Sequence, residues 1–330
     1  MPGKTDRRAS EHFALFYGDA GEFAAGTLDF VRVGLERGER VLVAVAGEKI
    51  EEMRAALNGG SPHAEFWDMT ELGRNPGRII PAVKDWVDRG RGRRCRFIGE
   101  PIWPGRAASE VVEATRHEAL INLAFADAPV TLLCPYDVAG LDRRVLADAE
   151  RTHPRLLRCG EKCADGGHPS RRYADPLVTW QARDWPLPDP VPAPPSHIVN
   201  LSDLRATRAF ATRHLRAAGL GDRRLEDAVL AVDEAATNAL VHGTGTTALR
   251  IWRDGDRVIC EVSDEGRLEE PLAGRRRPQP DWSGGRGVWL MNQLCDLVEL
   301  RPTHAGTVVR LHVSVAENGR ERPTTGRRDR

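Results

Sequence analysis

The stretch DEAATNALVHG at residues 233–243 decides the fold of the second half of this 330-residue chain. Apolar side chains recur at three- and four-residue spacing from Asp222 to His242, which predicts a single helix over this range. The apolar face of that helix contains Leu225, Val229, Val232, Ala236 and Leu240.

A polar stripe lies on a different face of the same helix and contains Asp227, Glu234, Asn238 and His242. Glu234 and Asn238 are four residues apart, so their side chains are expected to stand nearly above one another. A carboxylate beside an amide oxygen suits Mg²⁺, which takes few protein ligands when phosphates supply the others. The alternative is a solvated helix face without any ligand.

Working outward, Thr247–Trp252 and Arg257–Val262 are predicted to be antiparallel strands joined by a turn at Asp254-Gly255. The second strand leads directly into SDEG at residues 263–266. Asp264, at a strand end and followed closely by Gly266, can accept a hydrogen bond from the amino group of a base that approaches the backbone.

A polar loop, Arg267–Ser283, separates this turn from GGRG at residues 284–287, which opens a predicted helix over Val288–Cys295. Gly285 and Gly287 at a helix N-terminus leave N–H groups accessible to a polyphosphate. A final hairpin is predicted from Asp296–Arg301 and Thr307–Val315. The order of these features along the chain predicts a nucleotide site.

The first half of the chain alternates short apolar runs with amphipathic stretches. This alternation predicts an α/β domain with a mostly parallel sheet that helices cover on both faces. The predicted strands are His12–Tyr17, Arg40–Val45, Ala64–Trp67, Cys95–Ile98 and Val130–Cys134, and the predicted helices include Glu22–Arg37, Arg78–Arg89, Ala107–Phe125 and Leu141–Thr152. Asp19 is expected to cap the first helix.

Two of these strands are followed by residues typical of a ligand site, namely Glu100, Trp103 and Arg106 after one strand and Tyr136 after another. Ligands collect at the carboxyl ends of parallel strands. We therefore expect the four side chains to border a common sensory pocket for a small ligand or a partner, with Arg106 partly accessible. The alternative is a proline-rich structural turn.

Six prolines between Pro186 and Pro195 mark a boundary and favour an extended spacer. The expected organisation is a first domain over residues 1–180, a linker over 181–197, a second domain over 198–316, and a disordered polar tail over 317–330.

Composition excludes several classes of protein. Lys plus Arg and Asp plus Glu number 48 each, which excludes a generic basic surface for nucleic acid. No apolar run reaches the ~18 residues of a membrane span, and no apolar signal stretch follows the N-terminus. The chain is expected to be cytoplasmic, with no contact to a membrane.

The six cysteines do not form a disulfide scaffold. Cys134, Cys260 and Cys295 lie in apolar runs and are expected to be buried thiols. His153, Cys159, Cys163 and His168 could supply four ligands to zinc, although their spacing matches no closed zinc module. The alternative is a surface loop that happens to contain two cysteines.

The first half resembles the MEDS-type sensory domain, through HFALFYGDAGEF (12–23), GEPIWPGR (99–106), RHEALINLAF (116–125), LLCPYD (132–137) and Thr152-His-Pro154. The resemblance covers residues 10 to about 175. It implies a three-layer RecA-like module without a working P-loop, placed at the front of a bacterial regulator and used to sense a signal.

The second half, from 198 to about 315, resembles the Bergerat-fold ATPases, a group of two-layer α/β sandwiches that includes gyrase and histidine kinases. Within the group it is most similar to the anti-sigma factor serine/threonine kinases. This resemblance implies that Asn238 holds Mg²⁺, that Glu234 acts as general base or orients the nucleophile, and that Asp264 binds the adenine of ATP. Gly266, Gly285, Gly287 and Thr307 line the nucleotide pocket.

Two departures from the family pattern bear on activity. In the family the first glycine motif often continues as D-x-G-x-G, whereas here Arg267-Leu268 follows Gly266 and the second glycine is absent. In the second glycine motif, Arg286 occupies a position where a small apolar residue is common. Both leave Asp264 and Asn238 in place, so ATP binding is expected to tolerate them better than catalysis.

The resemblances imply a sensory regulator that acts as an anti-sigma factor and phosphorylates an anti-sigma antagonist. Its expected partners are that STAS-type antagonist, a sigma factor and, as an open possibility, a second copy of the chain. One alternative is an ATP-dependent binding adaptor without catalysis. Another is a sensor histidine kinase with His117 as its phospho-acceptor.

Overall fold

The computed structural model describes residues 10–57, 64–158, 161, 163, 166–181, 187–190, 192, 194–200, 202, 204–279, 285–303 and 305–316. Its chain divides into two compact units. The first unit contains residues 1–185 and 269–289, and the second contains residues 186–268 and 290–330. The tail at 317–330, which the sequence predicts to be disordered, lies outside the described residues.

The sheet of the first unit has seven strands among the described residues. They are β1 (Glu11–Tyr17), β2 (Arg40–Val45), β3 (Ala64–Asp68), β4 (Cys95–Gly99), β5 (Val130–Asp137), β6 (Arg155–Leu157) and β7 (His168–Pro169). The order is β3-β2-β4-β5-β1-β6-β7, and every pairing is parallel except that of β6 with β7. The prediction of a mostly parallel sheet is confirmed.

Two apolar cores lie on opposite faces of this sheet, because alternate residues of a strand point to opposite sides. On β1, Phe13 and Leu15 belong to one core and Ala14 to the other. The helices are α1 (Ala20–Glu36), α2 (Gly47–Ala56), α3 (Met69–Leu72), α4 (Ile79–Asp88), α5 (Ala108–Ala124), α6 (Arg143–Thr152) and α7 (Pro176–Gln181).

Asp19 caps α1 as predicted, since its side chain accepts a hydrogen bond from the Glu22 N–H at 2.9 Å. The helix therefore begins at the position that a nucleotide loop has in a P-loop protein, and the Asp19 carboxylate binds the Glu22 N–H group there. This geometry agrees with a RecA-like module that lacks a phosphate loop.

The sheet of the second unit is antiparallel, with the order β11-β12-β10-β9-β8 among the described residues. Its strands are β8 (Ser196–Ile198), β9 (Ala248–Asp254), β10 (Arg257–Asp264), β11 (Leu297–Thr303) and β12 (Gly306–Ser314). Its helices are α8 (Leu204–Ala217), α9 (Asp222–His242) and the last five residues of α10 (Arg286–Leu294), whose first four residues are counted with the first unit. Helix α9 has the bounds that its apolar spacing predicts, and the α/β class of this half is confirmed.

The proline-rich segment is in contact with the sheet of the second unit rather than extended as a spacer. Ser196–Ile198 forms the edge strand β8, which pairs with β9. Upstream of it, Arg310 donates to the Pro188 carbonyl at 2.7 Å and Arg250 donates to Asp189 at 3.0 Å. Two arginines on the sheet thus supply partners for a segment that has few backbone donors of its own.

The described helices include none that combines the length and the apolar composition needed to cross a membrane.

Candidate functional site

The turn that follows β10 is centred on Asp264, the predicted adenine ligand. Its Oδ1 accepts a hydrogen bond from the Gly266 N–H at 2.7 Å, so the carboxylate is fixed at the strand end. The side chain is half-buried, and desolvation by burial raises the pKa of Asp264 above its ordinary value. Among the described residues, Gly266 donates the hydrogen bond to this carboxylate through Oδ1. The other carboxylate oxygen of Asp264 can therefore accept a hydrogen bond from a ligand.

Glycines bring the end of α9 against this turn. A Cβ on Gly243, which directly follows α9, would lie 2.5 Å from Asp264 Oδ1. A Cβ on Gly266 would lie 2.5 Å from the Gly243 Cα. Since neither position has room for a side chain, helix and strand end can approach this closely only because both residues are glycine.

Thr307 closes the same turn from the neighbouring strand. It pairs with Asp264 across β10 and β12, and its Oγ1 donates to the Gly266 carbonyl at 2.8 Å. Gly306, with φ +141°, precedes it where a Cβ would overlap the Asp264 carbonyl oxygen. The structure therefore brings together three of the predicted nucleotide residues, Asp264, Gly266 and Thr307.

Glu234 and Asn238 lie on α9, upstream of Gly243, and both are half-buried. At 1.5 Å per residue they lie about 13 Å and about 7 Å before Gly243 along the helix axis. Within the described parts of the chain neither side chain has a hydrogen bond or an ion pair, whereas Asp233 beside them is bound by Arg208 through two bonds of 2.8 Å. The Glu234 carboxylate and the Asn238 amide are therefore available to bind a ligand.

The two remaining glycines stand at the start of α10. Gly285 has φ +80°, which favours glycine, and no atom lies within 4 Å of the position that its Cβ would take. Gly287 is buried in the first turn of the helix. Both stay predicted nucleotide residues.

The loop between the two glycine motifs belongs to the first unit, since that unit includes residues 269–289. Arg275 is buried and donates to the Pro76 carbonyl at 2.9 Å, with Glu113 3.7 Å away. Arg277 forms an exposed ion pair with Asp85 at 2.9 Å. The segment that connects the predicted adenine turn to the predicted phosphate helix is therefore anchored to the unit that contains the parallel sheet.

The predicted sensory pocket residues fall into separate environments. Glu100 is buried and accepts bonds from the Tyr17 hydroxyl at 2.8 Å and from Lys49 at 2.6 and 2.8 Å. Desolvation raises the pKa of Glu100, while the Lys49 ammonium opposes that rise. Tyr136 is buried elsewhere, with its ring edge-on to His153 at a centroid distance of 5.5 Å.

The expectation that Arg106 is partly accessible is wrong. Arg106 stacks over the Trp103 ring at 4.3 Å and is buried. Its guanidinium donates to the carbonyls of Pro101 in its own turn and of Gly73 and Arg74 after α3, so peptide oxygens replace water around the charge. Strands β4 and β5 are neighbours, as a shared pocket requires, but this cation stabilises its own turn.

His117, the alternative phospho-acceptor, is buried on α5, and within the described structure its Nδ1 has no hydrogen-bond partner. Burial lowers the pKa of His117 to about 3, so the ring is neutral at pH 7. An imidazole enclosed in this way cannot reach a γ-phosphate unless the first unit opens.

Of the four predicted zinc ligands, the three that the structure describes lie in different environments. His153 is fully buried, whereas His168 is exposed and lies 2.6 Å from Glu161. Cys163 packs, half-buried, against the core that contains Phe13, and Cys159 lies outside the described residues.

His153 instead meets His12, Glu118 and Cys134, a set that the sequence analysis did not group. Part of this could be seen in the sequence, since adjacent parallel strands place alternate residues of β1 and β5 on the same face and Glu118 directly precedes the apolar run Ala119-Leu120-Ile121 of α5. Only the fold shows that the four belong to one cluster.

Comparisons with known proteins agree with these two architectures. Residues 11–154 match the family described as MEDS: MEthanogen/methylotroph, DcmR Sensory domain. Residues 199–313 match the histidine kinase-like ATPase domain. The search of curated proteins returned no match.

Among solved structures, the chain is similar to the RsbU and RsbW domains of a protein from Mycobacterium tuberculosis, with 20% identity and a TM-score of 0.28. That similarity covers 39% of this chain and 33% of the solved one, so the chain spans about a third of the length of its structural relative. The site is therefore interpreted from its own geometry and from the two family matches.

Proposed function

We propose that this chain, which joins a MEDS sensory domain to a histidine kinase-like ATPase domain, is a Mg-ATP-dependent serine/threonine protein kinase of the anti-sigma factor type. The observation that carries the proposal is the junction of α9 with the turn at Asp264. There a fixed carboxylate, two glycines without space for a side chain, and the unpaired Glu234 and Asn238 lie along one helix and one strand end.

The residues present fit a magnesium nucleotide. The free oxygen of Asp264 can accept a hydrogen bond from the adenine amino group, and the Asn238 amide oxygen suits Mg²⁺. Gly285 and Gly287 at the start of α10 are proposed to bring backbone N–H groups to the phosphates, while Gly266 and the Thr307 hydroxyl hold the turn at Asp264 in shape. Bound Mg²⁺ supplies charge neutralisation for the transferring phosphoryl group.

In this proposal Glu234 carries out the proton transfer. Its carboxylate accepts the proton of the serine or threonine hydroxyl that attacks the γ-phosphate, and ADP leaves as the bond to its β-phosphate oxygen breaks. A carboxylate without an ion pair is suited to this role, because no internal cation competes for its lone pairs. Asp233, held by Arg208, is not available in the same way.

The partners proposed from this reading are a sigma factor and a STAS-type antagonist whose hydroxyl is the acceptor. A kinase that also sequesters a sigma factor would link transcription to the signal received by the first unit. A homodimer is compatible with this function, and no direct contact with nucleic acid or a membrane is proposed. The proposed site of action is the cytoplasm, where ATP and these partners are found.

A non-catalytic ATP-dependent adaptor is the second candidate. The absence of a second glycine after Gly266, where Arg267 and Leu268 stand, favours it. A histidine kinase is disfavoured by the burial of His117 on α5.

One experiment separates the three candidates. The full chain is incubated with γ-labelled ATP and the STAS-type antagonists encoded in the same genome. The stability of the protein-bound label is then measured in acid and in base. We expect acid-stable label on an antagonist, as phosphoserine or phosphothreonine gives. Acid-labile label on the chain itself would support the histidine kinase, and nucleotide binding without transfer would support the adaptor.

Control by the sensory domain is proposed to act through the loop anchored by Arg275. Because the loop leads from Asp264 to Gly285, its freedom to move governs how fast a bound nucleotide leaves. Arg275→Ala removes the bond to the Pro76 carbonyl and the pairing with Glu113. We expect release of a fluorescent ADP analogue to become about three- to tenfold faster, as for a lost buried contact of about 1 kcal/mol.

The exposed neighbour Arg276 provides the matched control, since Arg276→Ala removes the same charge from the same loop. Hydrogen exchange of residues 269–279 should rise in Arg275→Ala and remain unchanged in Arg276→Ala. Equal release rates in both variants would show that the anchor does not act on the nucleotide.

A further inference from the structure

Four side chains of the types that bind metal ions form a cluster inside the first unit. His12 is on β1, Cys134 on the adjacent strand β5, Glu118 on α5, and His153 directly after α6. Each of the four is at most 2% exposed. Two strands and two helices thus direct a thiol, a carboxylate and two imidazoles to one point between the sheet and its helical layer.

Four of the six distances between the ligand atoms are close to the edges of a tetrahedron around a metal ion. Glu118 Oε2 lies 3.3 Å from His12 Nε2 and 3.3 Å from His153 Nε2. Cys134 Sγ lies 3.4 Å from His12 Nε2 and 3.4 Å from Glu118 Oε2, and all four atoms lie within 4.8 Å of one another. Bonds of 2.0–2.3 Å from a central zinc give edges of about 3.3–3.8 Å between tetrahedral ligands.

The protein fixes the tautomer of His12. Asn122 donates its amide N–H groups to the backbone carbonyls of Glu118, Ala119 and Thr152, so its Oδ1 faces the imidazole. That oxygen lies 3.0 Å from His12 Nδ1, which must therefore be the N–H donor. With Nδ1 bound to Asn122, the other ring nitrogen, Nε2, faces the cluster.

His153 is oriented in the same way. Its Nδ1 lies 2.8 Å from the Ala149 carbonyl oxygen, which can only accept, so Nε2 again carries the lone pair. Within the described residues, His153 Nε2 and Glu118 Oε1 have no hydrogen-bond partner. Backbone or amide oxygens that hold the second nitrogen of a ligating histidine are typical of metal sites.

The Nε2 atoms of His12 and His153 both lie 3.3 Å from the same oxygen of Glu118, and all three groups are buried away from water. A single thiol proton can satisfy one of these acceptors. Buried polar groups left unsatisfied cost free energy, and buried charges are normally paired or coordinate metals. A divalent ion bound to the Cys134 thiolate and the Glu118 carboxylate would instead give a cluster of zero net charge.

We propose that His12, Glu118, Cys134 and His153 form a closed, four-coordinate site for a divalent transition metal of the zinc type. Binding releases one proton, because the Cys134 thiol becomes a thiolate as its sulfur bonds the metal. Four protein ligands leave no open position, which is the arrangement of a structural site. The ion would tie β1 and β5 to α5 and to the end of α6, and so stabilise the sensory domain.

The test is a titration of the full chain with Co²⁺ and Zn²⁺ after dialysis against a chelator. We expect one equivalent of Co²⁺ to give intense tetrahedral absorption bands with a thiolate charge-transfer band, and Zn²⁺ to displace them. One equivalent of Zn²⁺ should raise the thermal midpoint by at least about 4 °C, as for about 2 kcal/mol or more of binding free energy in a domain of this size.

Matched cysteine variants locate the site. Cys134→Ser should lose the charge-transfer band, whereas Cys95→Ser, at another buried free cysteine of the sheet, should keep it. Cys159→Ser and Cys163→Ser should also keep it. Absence of the band in the wild-type chain, or its loss in the Cys159 and Cys163 variants with retention in Cys134→Ser, would overturn the proposal without depending on whether any one variant folds.

Discussion

Glu234→Gln is expected to lower phosphoryl transfer to the antagonist by about 10²- to 10⁴-fold, the usual loss when a general base is removed. The amide cannot accept the proton of the attacking hydroxyl, while its size and half-buried position on α9 are preserved. Nucleotide affinity should change by less than about threefold, since the side chain acts on the acceptor and not on the adenine. Single-turnover transfer and calorimetric titration with ADP measure the two effects separately.

Glu226→Gln is the matched control for this result. Glu226 is an exposed glutamate on the same helix, about two turns upstream of Glu234, and it has no place in the proposed reaction. It should transfer phosphate at the wild-type rate. If both variants were as active as the wild type, Glu234 would be part of a solvated helix face and the proposed mechanism would be wrong.

Asp264→Asn is expected to weaken binding of ATP and ADP by about 30- to 150-fold, equivalent to about 2–3 kcal/mol. The oxygen bound to the Gly266 N–H can be kept by the asparagine, whereas the position facing the ligand changes from an acceptor to a donor. The adenine amino group would then meet another N–H. Calorimetric titration of the full chain with ADP in the presence of Mg²⁺ measures the loss.

The raised pKa of Asp264 allows weaker nucleotide binding in Asp264→Asn to be distinguished from lower stability of the fold. Because its pKa is raised in the folded state, the ionised carboxylate lowers stability at neutral pH, and this penalty disappears as the pH falls through the raised pKa. A neutral asparagine should therefore leave the free energy of unfolding at pH 7 unchanged or slightly higher. Chemical denaturation checks this, and a less stable variant would mean that weaker binding reflects the fold.

Asp254→Asn provides the control for charge. Asp254 is exposed at the opposite end of the β9–β10 hairpin, so its replacement changes the net charge equally and leaves the site untouched. Wild-type affinity is expected. An equal loss of affinity in the Asp254 and Asp264 variants would mean that the overall charge, and not a contact with adenine, governs binding.

The elements of both units could be predicted from the sequence, because they depend on local periodicity and local stops. The spacing of apolar residues predicted the observed bounds of α9, and continuous apolar runs located β1 to β5 to within a few residues. Helix α8 and strands β6, β7 and β8 were missed. Each of these three strands has only two or three residues, too few to show the periodicity on which such predictions depend.

For the candidate nucleotide site, the order of motifs along the chain was sufficient to select Glu234, Asn238, Asp264 and the glycines. The structure adds the contact of Gly243 with Asp264 and the hydrogen bond from Thr307 to Gly266. These join residues that lie far apart in the sequence. No pattern in one segment records how closely it approaches another.

The sequence by itself determined what is local in this protein: two α/β domains, their helices and strands, and the motif residues of the ATPase half. Tertiary structure alone decided where the buried polar groups find their partners. It enclosed Arg106 among three carbonyls, and it drew His153 away from Cys163 to His12, Glu118 and Cys134. The physical reason is that a buried polar atom must be satisfied by whatever the fold brings within about 3 Å, and strand order, not sequence distance, sets those neighbours.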